Sequence, residues 1–80
     1  MPISRKRLNA EADYLENVAI PRTAAAARDA ARDAADPANS PQRQRVAAAA
    51  ERNARAWVAD FQNFAETLRA GEIPDGMDLT

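Results

Sequence analysis

"DPANSP", residues 36–41, decides how this chain is read. Two prolines stand within six residues, with Asn39 and Ser40 between them. Ser40 offers an oxygen to cap a helix, and Pro41 occupies a first-turn position where its missing N–H costs nothing. The segment therefore predicts a turn over 36–40 and a helix starting at about 41. That helix should run to Ala70. Gly71 follows as the residue just past the end, and Pro74 prevents resumption.

Inside this second helix Ala47, Ala50, Ala54, Trp57, Phe61, Phe64 and Leu68 recur at alternating spacings of three and four. This is the apolar seam of a helix that packs along another helix. Its first half is alanine and its second half is large.

On the other side of the turn lies "AAAARDAARDAAD", residues 24–36, with almost nothing large to bury. The first helix is expected over about 4–35. Leu8 and Leu15 share a face with Ala12, Val18 and Ala19. Ile20 falls about 120° from that face at 100° per residue, and Pro21 follows it. A kink or restart is expected there, with the stripe resuming at Ala24, Ala27, Ala31 and Ala34.

Folding the chain at the turn gives an all-α, two-helix antiparallel hairpin with a kink near Pro21. Residue i should face roughly residue 77 − i, so that small side chains meet small ones near the turn and large meet large at the far end. Ala27, Ala31, Ala47 and Ala50 are expected to allow close approach of the helices, with Ala48 on the outer face. Asp29 with Arg32, and Arg32 with Asp36, should form ion pairs on the solvated side, worth a few tenths of a kcal/mol each.

Composition bounds the rest. Eighty residues allow a single domain, 1–80, and alanine supplies 21 of 37 hydrophobic residues. The net charge of −1 and the helix-forming strength of alanine argue against disorder. Cysteine and histidine are absent. Disulfides are impossible, and a metal site would need carboxylates alone. No metal or other cofactor is expected. The two glycines exclude a phosphate-cradling loop, and no nucleophile–base pair is available, so the chain reads as not an enzyme and has no small-molecule substrate. Asp29 and Asp33, spaced i,i+4, alternate with Arg28 and Arg32 as an exposed face would. No signal-peptide pattern or membrane-length apolar run is visible, and a cytoplasmic location is expected.

A lone hairpin leaves one side of its aromatic end open to water. Tyr14, Leu15, Val18, Val46, Trp57, Val58, Phe61, Phe64 and Leu68 are the candidate interface, for a second copy completing a four-helix bundle or for another protein. Ten arginines against one lysine, with abundant alanine, have the style of a GC-rich bacterial or phage genome. The expected role is protein–protein interaction: an inhibitor, an adaptor, or a virion or assembly component.

The alternative is nucleic-acid binding through Arg5, Lys6, Arg7, Arg45, Arg52 and Arg55. The expected architecture is similar to that of small dimeric RNA-binding hairpins of the Rop type, a likeness of fold alone. Against it, Glu72, Asp75, Asp78 and the terminal carboxylate give an acidic tail, residues 71–80, that would neutralise the basic N-terminus. The tail, with Ile73, Met77 and Leu79 widely spaced, reads as a flexible arm.

Overall fold

The computed structural model describes residues 3–77 and residue 79. Every regular element among them is helical. Helix α1 spans Arg5–Tyr14, a single π-turn spans Leu15–Ala19, α2 spans Ile20–Ala35 and α3 spans Pro41–Arg69. Among these elements none is long and apolar enough to cross a membrane.

The helix ends follow the local chemistry. Ser4 Oγ accepts a hydrogen bond from the Arg7 amide, and Ser40 Oγ from the Arg43 amide, both at 3.2 Å. Each serine thus satisfies one of the orphan donors of a helix start. At the end of α3 the Gly71 amide bonds the Leu68 carbonyl at 3.0 Å, and the Glu72 amide the Thr67 carbonyl at 3.1 Å. This double bond pattern needs a left-handed residue after the helix, and Gly71 supplies it with φ +88°. In the turn, Asp36 does not pair with Arg32. Its carboxylate accepts from the Ala38 amide at 2.9 Å, which closes the loop that Pro37 opens. The Asp29–Arg32 pair does form.

The stripe change at Pro21 takes a definite form. The Ile20 amide reaches back to the Leu15 carbonyl, one residue farther than in an α-helix. Leu15 and Ala27 would lie about 120° apart on an uninterrupted helix. Both are buried, because the π-turn absorbs one extra residue and brings the two faces back into line. Proline lacks an amide hydrogen and its ring crowds the preceding turn, so a wide turn just before Pro21 relieves both problems.

The two arms touch along their length. Gln44 Nε2 donates to the Asp36 carbonyl at 2.7 Å beside the turn. Far from it, Arg69 Nη2 meets Asp13 Oδ1 at 2.5 Å and Glu16 Oε2 at 2.9 Å. The molecule measures 55 × 20 × 17 Å. Its main core gathers Leu8, Ala12, Leu15, Ala65 and Leu68, with Ile3, Ala19, Phe61, Phe64, Met77 and Leu79 packed against them. Ala27 is a separate buried point on α2.

The inner face of α3 differs from the expected seam. Ala47, Ala54, Phe61 and Leu68 do turn inward, but the alternate positions are Glu51, Val58 and Ala65 in place of Ala50, Trp57 and Phe64. Ala50 is exposed, Ala48 is half-buried and Trp57 is 54% exposed. Two three-four ladders overlap on this helix, and packing selects between them. Ala65 inside lets α3 close onto Ala12, where the Phe64 ring would hold the arms apart. Trp57 outside keeps its indole N–H in water instead of burying it without an acceptor. Glu51 lays its stem on the seam and pairs its carboxylate with Arg55 at 2.7 Å.

Tail residues also lie against the body of the molecule. Pro74 is buried, and a turn in which the Met77 amide bonds the Pro74 carbonyl carries Met77 and Leu79 onto the core. Asp78 and the terminal carboxylate lie outside the described residues.

Candidate protein-binding face

Four large apolar side chains stand in solvent: Val46 at 64%, Trp57 and Tyr14 at 54%, and Ile73 at 44% exposure. Three of the four come from α3 or its immediate extension. Helical geometry explains their alignment. At 100° per residue, Val46, Ala50, Asn53, Trp57, Asp60 and Phe64 fall within a band of about 80°. This band lies roughly 100° around the helix from the inward face. All are exposed except Phe64, which is half-buried.

The aromatic part of this face is continuous. Trp57 and Phe61 have ring centroids 5.5 Å apart, and Phe61 and Phe64 6.4 Å apart. These are tilted contacts within the favourable range for aromatic pairs. Phe61, half-buried, thus anchors the exposed Trp57 to the core. A groove beyond Phe64 is lined by Asn63, Thr67, Glu72, Ile73, Pro74 and Asp75. It runs on from Phe64 past the helix end, with Ile73 and Pro74 as apolar members among polar and acidic ones.

Not every expected interface residue is available. Leu15 and Leu68 are 7% and 0% exposed and belong to the chain's own core. Val58, half-buried, shares a groove with Ala24, Ala27, Arg55, Ala59 and Gln62, so it faces α2. Val18, Phe61 and Phe64 are half-buried, whereas Tyr14, Val46 and Trp57 present open surface. Sequence reading missed Ala50, Asn53 and Asp60 as parts of this face. The signal was there, a second three-four ladder offset from the first, but its polar members concealed it.

The basic residues split into two groups. Arg7 Nε bonds Glu11 at 3.1 Å and Arg55 bonds Glu51. The Arg5 guanidinium lies against Gly71, where it complements the negative end of α3. Lys6, Arg45 and Arg52 are exposed and join no ion pair among the described residues. At the open end Arg69 makes a bidentate contact with Glu16 and a further bond to Asp13. These acceptors hold its proton more tightly than in a free guanidinium, Glu16 first. Among the described residues no group of carboxylates is arranged to hold a metal ion. Comparisons with protein-family models, with curated proteins and with solved structures find nothing that matches this chain.

Proposed function

We propose that the chain is a small non-catalytic helical protein of the cytoplasm, working as an antiparallel hairpin that presents helical surface to another protein chain. The role is that of an inhibitor, an adaptor or an assembly component of a bacterium or phage. The observation that carries this reading is the exposed face of α3, where Val46 and Trp57 stay in water while Ala65 and Leu68 of the same helix are buried. Exposed tryptophan aligned with other apolar groups is the composition of a binding hot spot. The catalytic alternative has no support in the residue inventory. The nucleic-acid alternative rests chiefly on Lys6, Arg45 and Arg52, since Arg7 and Arg55 have carboxylate partners within the chain and Arg5 lies against Gly71.

The test is site-specific photocrosslinking in cells that make the protein. A photoreactive residue at position 57 should capture a protein chain, either another copy or a different partner. The same residue at Arg28, on the exposed side of α2, should not. Capture of nucleic acid at position 57, or equal yields at both positions, would overturn the reading.

A further inference from the structure

We infer that the occupant of the exposed face of α3 is a second copy of this chain, packed antiparallel about a two-fold axis level with Arg55. The inference rests on the protein-binding reading above and names its partner.

The face is self-complementary when reversed. Val46, Ala50, Asn53, Trp57, Asp60 and Phe64 are spaced four, three, four, three, four, which is the same order in both directions. A two-fold axis at level 55 therefore lays the ladder of one α3 on that of its partner, over about 27 Å at 1.5 Å per residue. Each level then has a sensible match. Val46 meets a second-copy Phe64, apolar on apolar. Trp57 meets Asn53, whose carboxamide oxygen is an acceptor for the indole N–H. Asp60 meets Ala50, two residues from Arg52, within reach of a guanidinium.

That last match removes the main objection to the surface. Asp60 is the one charge on the strip, and among the described residues it joins no ion pair in its own chain. Arg52 is likewise exposed and joins no ion pair among the described residues. The two-fold axis pairs each with the other twice.

Charge over the whole molecule runs the same way. Arg55 shares a level with Ala24 and Ala27, since all three line one groove. The half nearer the turn, residues 26–55, carries six arginines against four acidic residues. The remainder carries five basic and eight acidic residues. Antiparallel association sets the positive half of one copy against the negative half of the other, and parallel association sets like against like.

Sedimentation equilibrium tests this. The intact chain should weigh twice its 8.7 kDa. Trp57→Asp should be monomeric with its helical circular dichroism unchanged, because Trp57 lies outside the core. Arg52→Asp and Asp60→Arg should each raise the dimer dissociation constant by about tenfold or more, since each sets two like-charged pairs across the interface. An equal mixture of these two variants should recover wild-type affinity as a heterodimer, and so should the double variant as a homodimer. A wild-type chain that is monomeric at millimolar concentration would overturn the second copy. So would single variants that dimerise as tightly as wild type, or a mixture that fails to recover. Capture of a different protein at position 57 by a monomeric chain would sink the homodimer and leave the protein-binding reading standing. Capture of no protein would sink both.

Discussion

Leu68 is fully enclosed, while Trp57, three turns earlier on the same helix, is more than half exposed. At this scale size and enclosure decide the outcome of a substitution. Leu68→Ala should cost about 2–5 kcal/mol, read from denaturant unfolding, because the void forms among Leu8, Ala12, Leu15 and Ala65. Alanine positions divide in the same way. Ala27 has no exposed surface, so Ala27→Leu must push α2 off α3 and should cost about 1–3 kcal/mol. Ala50→Leu lies outside, and both residue types are good helix formers, so thermal melts of dilute protein should show little change. Equal losses at both sites would mean that Ala50 is enclosed in the folded chain. From the sequence Ala27 and Ala50 looked alike, as members of two facing stripes. Only the choice between overlapping ladders separates them, and that choice depends on which side chain meets Ala12 at the other end of the chain.

At the level of elements, the helix ends were legible because their causes are local. Ser40-Pro41 starts α3 and Gly71 ends it through hydrogen bonds spanning a few residues. The break before Pro21 was legible as a phase error of the apolar stripe, but its form as a π-turn was not, since kinking and restarting would correct the same error. The link between elements was the least visible part. Arg69 bridges from α3 to Asp13 on α1 and Glu16 in the π-turn, across more than fifty positions of sequence, and nothing in its neighbourhood marks it out. Arg69→Ala should lower the melting temperature in low salt by removing both contacts. The gap from wild type should narrow in 1 M NaCl, because these groups are exposed and screened. A gap that does not change with salt would assign the loss to packing of the Arg69 stem.

Over the whole molecule the two halves of α3 do different work. Near the turn its inner face is small, and the arms approach through Ala27, Ala47 and Ala54. Toward the open end Phe61 and Leu68 bring bulk to that face, Phe64 packs at its edge, and Ile3, Met77 and Leu79 lie against the same core. The tail reads as a flexible arm because its apolar residues have no helical or strand period. Its packing is set by a turn at Pro74–Met77 and by the partner it finds on the core. The candidate face was legible as to its aromatic members. Its polar rungs, Asn53 and Asp60, become meaningful only when the side that faces water is known.

The π-turn has a consequence at the level of the gene. It stores one residue more than a straight helix would use between Leu15 and Ala27. Loss of a single codon among 16–19 would convert the wide turn into an ordinary one, and both flanking apolar stripes would still face α3. Loss of one codon among 48–50 has no such reserve. Every side chain after it would swing by about 100° relative to those before it, carrying Leu68 and Ala65 out of the core. Thermal melts of the two deletion variants should differ sharply, with the first still cooperative and the second not. Length variation in this protein is therefore expected to be absorbed beside Pro21, where a frame-preserving deletion changes the count of residues without changing which of them are inside.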